Sequence, residues 1–260
     1  MPEPRREAFN EVAETYSRAR PAYPAEMVDD LVSLARLRPG ARVIEIGPGT
    51  GQATQALATH GLDVTGVELG ANLAEVARRN LSDFRNVRIV VSSYEQWKPG
   101  EANFDAVTAF TAFHWVDAEV RYEKSARLLR NDGILALVGT KHVLLEDDDP
   151  FWIEVQKDYD AVTPSDSNGP PPHPDAVADL AEEIEASGYF RNAASRRYVW
   201  KMTHDADSYI ALLETFSNHR RMEPATRERL YGRIHARIEA APGGEVTKTL
   251  LATLNVARKL

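Results

Sequence analysis

The 260-residue chain contains no cysteine, which excludes disulfides, thiolate metal sites and a cysteine nucleophile. It also lacks an excess of basic charge. Lys and Arg number 31 against 39 Asp and Glu, for a formal net charge of −8 with histidine neutral. That balance argues against affinity carried by a broadly basic nucleic-acid-binding face, while leaving room for a local basic pocket. No stretch approaches the ~20 apolar residues of a membrane-spanning helix. Met1–Arg20 is charged and holds no apolar signal-peptide core, so no secretory leader is expected. Repeats, heptads and low-complexity tails are missing as well. The expectation is a soluble cytoplasmic protein with no membrane partner and no nucleic-acid partner. With 43% hydrophobic and 27% charged residues, the composition is that of an ordinary globular chain. Its length suits one large domain, or one domain with a small lid.

The first half alternates strand and helix patterns. Pro24 opens a helix whose apolar positions Val28, Leu31, Val32 and Leu34 fall at helical spacing, and Pro39-Gly40 breaks it. Short apolar runs at Arg42–Ile46, Asp63–Val67, Val87–Val91, Phe104–Phe110 and Ile134–Val138 read as strands. Helical stretches at Gln52–Thr59 (closed by Gly61), at Asn72–Asn80 and before Leu129 separate them. Five strands in this rhythm call for a mostly parallel sheet covered on both faces. The second half differs. Asp147-Asp148-Asp149-Pro150 reads as a turn that starts a helix, Thr163–Pro174 as a proline-rich loop, and Asp175–Ser187 as a helix. Strands are expected at Ser195–Met202 and Thr247–Val256, split by a helical insertion from Asp205 to Ala240 that Pro224 interrupts. The expected division is a helical lid segment at 1–38, a core at 39–145, and a C-terminal part at 146–260 with that insertion and the last two strands.

The strongest chemical signal is Val43-Ile44-Glu45-Ile46-Gly47-Pro48-Gly49-Thr50-Gly51, a strand running into a glycine turn that opens a helix. Glycines there allow positive φ and a close ligand approach, and the helix start offers unpaired N–H groups. The dinucleotide fingerprint needs a sixth-position glycine where this chain has Gln52, and a P-loop needs a lysine that this turn lacks. Both phosphate-binding readings are disfavoured, and a nucleoside without a pyrophosphate remains. Glu68, at the end of the second strand, offers a carboxylate to two ribose hydroxyls. Ser92-Ser93-Tyr94-Glu95, at the third strand end, offers polar groups to an adenine edge. A plain loop there, and a plain strand end at Glu68, are the structural alternatives.

These motifs resemble a Rossmann-like S-adenosylmethionine-dependent methyltransferase. The resemblance rests on Glu45–Gly51, on Glu68, on Phe104-Asp105-Ala106-Val107 and on Leu128–Leu135. Asn131-Asp132-Gly133 replaces the family's usual Pro-Gly-Gly, and Ser93 stands where Asp is common. Upstream, Tyr16-Ser17-Arg18-Ala19-Arg20-Pro21-Ala22-Tyr23-Pro24 is similar to the N-terminal lid of the small-molecule branch that includes trans-aconitate and juvenile-hormone-acid methyltransferases.

The resemblance implies a doubly wound, seven-stranded sheet ordered 3-2-1-4-5-7-6 with one antiparallel strand. It implies S-adenosylmethionine as cofactor, S-adenosylhomocysteine as product, and a small-molecule acceptor methylated on O, N or C. Cofactor contact falls to Arg20, Glu45, Gly47, Gly49, Thr50, Gly51, Glu68, Leu69, Ser93, Tyr94 and Phe110. Acceptor contact falls to Tyr16, Tyr23, Trp115 and His219. His114 is the candidate proton acceptor or orienting group; structural roles for His114 and Trp115 are the alternative. His142, His173, His204 and His235 show no metal-ligand spacing, and Asp147–Asp149 lacks the glycine and distal glutamate of a calcium loop. No metal is expected. A non-catalytic cofactor sensor and a protein or RNA methyltransferase are the competing functions.

Overall fold

The computed structural model describes residues 12–163 and 169–260. The first eleven residues of the expected lid, and residues 164–168 of the proline-rich loop, lie outside the described residues. In chain order the elements are α1 (Ala13–Ala19), α2 (Ala25–Ala35), β1 (Arg42–Ile46), α3 (Gln52–Thr59), β2 (Asp63–Glu68), α4 (Ala71–Asn80), β3 (Val87–Val91) and β4 (Phe104–Phe110). There follow α5 (Arg121–Leu128), β5 (Leu129–Val143), α6 (Phe151–Glu154), α7 (Gln156–Val162), α8 (Ala181–Ala186) and β6 (Phe190–Asp205). The last elements are α9 (Ala206–Leu213), α10 (Ser217–Arg220), α11 (Pro224–Glu239) and β7 (Glu245–Lys259).

The seven strands form one sheet in the order β3-β2-β1-β4-β5-β7-β6. The first five pair in parallel, and β7 runs antiparallel to both neighbours. This is the order and the single reversed strand that the sequence implied. Strand side chains alternate between faces, and both faces are buried. Val43, Ala106, Ile134 and Ala252 pack against Met27, Val28 and Leu31 of α2. Ile44, Val107 and Leu135 pack on the other side with Ala126 of α5, Ile184 of α8 and Phe190. Helices on both faces explain why the central strands bury apolar side chains on both sides.

A third cluster belongs to the helices after β5 and between β6 and β7. Phe151 and Trp152 meet Tyr209 and Leu212 of α9 and Leu230 and Ile234 of α11. The Trp152 indole donates to the Thr247 carbonyl at 2.7 Å, fastening this layer to β7.

Three expectations need correction in extent. The last three strands are longer than their apolar cores, because β5, β6 and β7 continue one antiparallel ladder past the buried rows. The segment expected to be helical from Asp175 to Ser187 holds a short 3₁₀ turn at Pro174–Ala176 and the six-residue α8. Tertiary bonds claim its backbone instead: Arg197 donates to the carbonyls of Pro174 and Val177, and the Leu180 N–H donates to Asn255. The insertion breaks into three helices, with Pro224 at the start of α11 under a Glu223 cap that accepts from the N–H groups of Ala225 and Thr226. Among the described residues, no helix is long and apolar enough to cross a membrane.

Asp158 of α7 holds this helical layer together. Its side chain, 2% exposed, accepts from Arg233 at 3.0 Å and from Arg237, both on α11. Burial alone would raise its pKa, but the bonds and fields of Arg237 and Arg233 outweigh that and hold it below 3.8. The stabilisation is therefore present above the ordinary value and lost as pH falls through the lowered one. Asp158→Asn is expected to cost about 1–3 kcal/mol near neutrality. Urea denaturation at neutral and acidic pH should show that difference shrinking on acidification.

Candidate active site

The carboxyl edge of β1 and β2 is shaped by three left-handed glycines. Gly47, Gly49 and Gly51 have φ of 62°, 59° and 98°, a region costly for side-chain-bearing residues. Space is also short. A Cβ on Gly47 would lie 2.8 Å from that of Ala112, and one on Gly51 would lie 2.8 Å from Leu81 Cδ1. The Gly47 N–H donates to the Val67 carbonyl at 2.9 Å, so the turn leaves β1 still bonded to β2.

Glu68 ties this turn to the next. Its two carboxylate oxygens accept from the Gly49 N–H at 2.9 Å and the Gly70 N–H at 2.8 Å. The side chain is only 6% exposed. Burial raises its pKa, while the N–H groups of Gly70, Gly49 and Leu69 pull the other way. A carboxylate can accept about four hydrogen bonds, so two internal bonds leave capacity for a ligand.

A cavity of about 680 Å³ opens from this edge, a size typical of small-ligand sites. Gly47, Gly49, Glu68 and Leu69 line it, as do Ser93 and Tyr94 at the end of β3 and Phe110 at the end of β4. The N-terminal segment supplies Tyr16, Arg20 and Tyr23 to the same cavity, the turn after β4 supplies His114 and Trp115, and α10 supplies His219. The structure thus brings together thirteen of the sixteen residues assigned from sequence. Glu45, Thr50 and Gly51 do not line the cavity. Glu45 sits behind the turn and accepts from the Thr54 hydroxyl at 2.6 Å. The Thr50 hydroxyl donates to Gln52, and Gly51 begins α3.

Each lining group has a local setting. Ser93 Oγ accepts from the Gln96 N–H at 3.2 Å. The buried Tyr94 hydroxyl lies 3.0 Å from Ser125 Oγ. Tyr23 packs on Phe110 with ring centroids 5.0 Å apart. Arg20 lies over the rings of Tyr16 and Phe216 and donates to the Thr215 hydroxyl and carbonyl at 2.9 and 3.0 Å. It therefore links the N-terminal segment to the insertion. His114 sits in the 3₁₀ turn Phe113–Trp115 at the rim. Partial desolvation, then Arg121, lowers its pKa, so the imidazole is neutral at pH 7. His219 is 3% exposed, with Nε2 3.3 Å from the Tyr159 hydroxyl. Burial, aided by Lys248 and Arg227, pushes its pKa down to about 4.

Sequence reasoning missed the far wall. Thr140 and His142 of β5, Met202 and His204 of β6, and Lys248 of β7 also line the cavity. A signal was present. Lys248 shares a strand face with Leu250, Ala252 and Leu254, all buried, and a lysine in that apolar row marks an inward-facing charge. Among the described residues no group of His, Asp and Glu is placed to hold a metal ion.

This sheet order, with ligand groups at the carboxyl ends of β1 to β4, defines a Rossmann-like methyltransferase fold. Residues 44–137 match the family model described as Methyltransferase domain. An uncharacterized methyltransferase of Mycobacterium tuberculosis is 34% identical over 131 residues, covering 50% of this chain and 51% of the relative. The chain spans about half the length of the curated relatives it matches. A putative type II methyltransferase from Anaeromyxobacter dehalogenans superposes with a TM-score of 0.64 at 21% identity, covering 92% of this chain and 97% of that one. Phospholethanolamine N-methyltransferase 2 of Haemonchus contortus, solved with phosphomonomethylethanolamine and S-adenosylhomocysteine, gives 0.53 at 17% identity over 96% of this chain and 57% of that one. At these identities the structural likenesses establish the fold.

Glu45 gives a test of the geometry behind the turn. Burial raises its pKa from 4.5 to about 7; the Thr54 bond opposes this and the Glu68 charge adds to it. A carboxyl group with a raised folded pKa makes stability fall as pH climbs from 4.5 to about 7. Glu45→Gln is expected to remove that slope and to be more stable than the parent by about 2 kcal/mol at pH 8. Thermal and urea unfolding across this range check it; a parent profile with no such slope contradicts the assignment.

Proposed function

We propose that this chain is an S-adenosylmethionine-dependent methyltransferase acting on a small-molecule acceptor. One observation carries the reading. The glycine turn, Glu68 and the Ser93–Tyr94 strand end open into the same cavity as His114, Trp115 and His219, so a nucleoside on the first and an acceptor beside the second would share one space. Room beside Trp115 favours an enzyme over a non-catalytic sensor. The near-complete burial of His219 and Lys248 (3% and 5% exposed) favours a small acceptor over a protein or RNA surface.

The residues fit the cofactor on their own terms. Gly47 lets the turn pass close to Ala112, where a Cβ would clash, and Gly49 holds a left-handed backbone that leaves its N–H on Glu68. Glu68 keeps acceptor capacity for ribose hydroxyls, while Ser93 and Tyr94 border the adenine position. Leu69 and Phe110 give the nucleoside apolar contact. Arg20 faces the amino-acid carboxylate, and Tyr16 and Tyr23 cover the site as part of a lid within residues 1–38. Residues 39–145 form the cofactor-binding core, and 146–260 supply the acceptor wall. Glu45, Thr50 and Gly51 act from behind by fixing the turn. When bound, the cofactor supplies a methyl group on a sulfonium with a neutral thioether as leaving group.

Holding the acceptor atom in line with that methyl group is the chain's main task, and orientation alone can supply a large part of such a rate enhancement. Trp115 walls the acceptor position. A neutral imidazole nitrogen of His114 accepts the proton released when the acceptor is O–H or N–H. The acceptor chemistry we favour is a carboxylate or a natural-product intermediate, as in the small-molecule branch, in a cytoplasmic setting.

Glu68→Ala is expected to weaken S-adenosylhomocysteine binding by more than about 1 kcal/mol, with NADH binding to neither protein in calorimetry. An unchanged affinity in a folded variant removes the ribose assignment. For an acceptor with an ionisable proton, His114→Ala is expected to lower kcat about 100-fold with little change in KM. Full turnover by that variant in a methyl-transfer assay eliminates a required base.

A further inference from the structure

The wall that sequence reasoning missed has an unusual charge state. Lys248 is 5% exposed and lines the cavity. Among the described residues no carboxylate lies within ion-pair distance of its ammonium and no hydrogen-bond acceptor holds it. Its neighbours are rings: Phe216 at 5.4 Å, Tyr209 at 5.7 Å and Trp152 at 5.8 Å from Nζ, near the outer limit of cation–π attraction. A buried cation without an anion is normally avoided.

The surrounding polar atoms are in the same condition. Thr140 Oγ1, His142 Nε2, His204 Nε2 and His219 Nδ1 are buried with no hydrogen-bond partner, and all four residues line the cavity. The ladder explains their convergence. His142 pairs with Leu250, Met202 with Lys248 and His204 with Val246, which puts Thr140, His142, His204 and Lys248 on one face in successive rows. Such orphaned groups call for an occupant.

We infer that this end of the cavity is a subsite for an organic carboxylate, with the Lys248 ammonium as its counter-ion. The inference rests on the methyltransferase reading and deepens it: the acceptor is a small acid held by its charged group. A carboxylate brings several lone pairs to an ammonium and to neutral imidazole N–H donors. Arg20 is assigned to the cofactor's own carboxylate and is held in place by Thr215, so Lys248 is the one charge left to the subsite. That suits a monoanion better than a phosphate dianion, and the aromatic walls suit an acid with an apolar body.

The protonation states agree. Burial, then Arg20, pushes the Lys248 pKa down to about 7. The groups facing it are Arg20 from the N-terminal segment, His142 of β5, His204 of β6, His219 of α10, Tyr159 of α7 and Tyr209 of α9. Burial and the Lys248 charge keep the three histidines neutral near pH 7. The carboxylates whose fields reach His142 and His204 are engaged elsewhere: Asp148 with Lys201 and Thr249, Asp205 with the Ser208 N–H. An anion binds the charged lysine, so its affinity should fall as pH rises above about 7.

Calorimetry on the full chain with S-adenosylhomocysteine present tests this. The probes are benzoate and phenylacetate, the amides benzamide and phenylacetamide, and inorganic phosphate. The expected result is at least one acid bound roughly tenfold or more tightly than its amide or than phosphate, with affinity declining above pH 7 and the preference lost in Lys248→Met. Acids and amides binding alike, phosphate binding more tightly than every acid, no acid binding, or an undiminished preference in folded Lys248→Met would overturn it. If Lys248→Met does not fold, the parent's pH profile decides, and a flat profile through pH 7 is the negative result. Failure of S-adenosylhomocysteine to bind would strike the methyltransferase reading instead. The acids are then titrated alone and the subsite judged by the same preference.

Discussion

The Glu68 carboxylate, bonded to the backbone N–H groups of Gly49 and Gly70, is the constraint on which the rest of the site depends. Those two bonds join the turn after β1 to the turn after β2 and set the edge from which the cavity opens. Ionising a carboxylate that is 6% exposed is costly, and the backbone donors offset part of that cost while burial still holds its pKa above the ordinary value. The arrangement works only because Gly47, Gly49 and Gly51 accept left-handed backbone. A side chain at any of them would strain the turn, and at Gly47 or Gly51 it would also clash with Ala112 or Leu81. The buried Glu45, close enough for the two charges to oppose each other's ionisation, keeps the local electrostatics finely set.

The second organising feature is the antiparallel hairpin of β6 and β7, whose connection carries α9, α10 and α11. The parallel half of the sheet presents backbone and one carboxylate to the cavity. The antiparallel half presents Lys248 and three neutral histidines. One end of the cavity thus carries Glu68 and the other an unpaired lysine, within a chain whose net charge is −8. Asp158, clamped by Arg233 and Arg237, and the Trp152 bond to Thr247 hold the helical roof in place over both. Arg20 bonds to Thr215, so the N-terminal segment and the helical layer between β6 and β7 are mechanically linked.

Much of this was legible in the sequence, for identifiable reasons. Strands β1 to β4 are short, mainly apolar runs rich in β-branched residues and set between polar or glycine-containing turns, so their limits could be read from the pattern. The glycine turn and Glu68 could be read because backbone conformation leaves a residue-type signature. The lengths of β5, β6 and β7 could not, because polar residues such as Lys141 and Arg191 are held in the sheet by ladder bonds rather than burial. The helix expected from Asp175 failed since Arg197 and Asn255, distant in sequence, take its backbone groups. Lys248 and His204 were passed over because their significance depends on which rows face each other across β6 and β7. That register appears only once the strands pair.

Glu45 and Thr50 belong to the turn but do not line the cavity. Glu45 accepts from Thr54, and Thr50 donates to Gln52, so in the structure both side chains brace the turn. A crystal structure of the chain with S-adenosylhomocysteine addresses the central claim most directly. The ribose hydroxyls should lie within hydrogen-bonding distance of Glu68, with the adenine beside Ser93 and Tyr94 and the sulfur on the side of His114 and Trp115. Density for the ligand elsewhere, or a Glu68 that keeps only its bonds to Gly49 and Gly70 while the nucleoside sits apart, would contradict it.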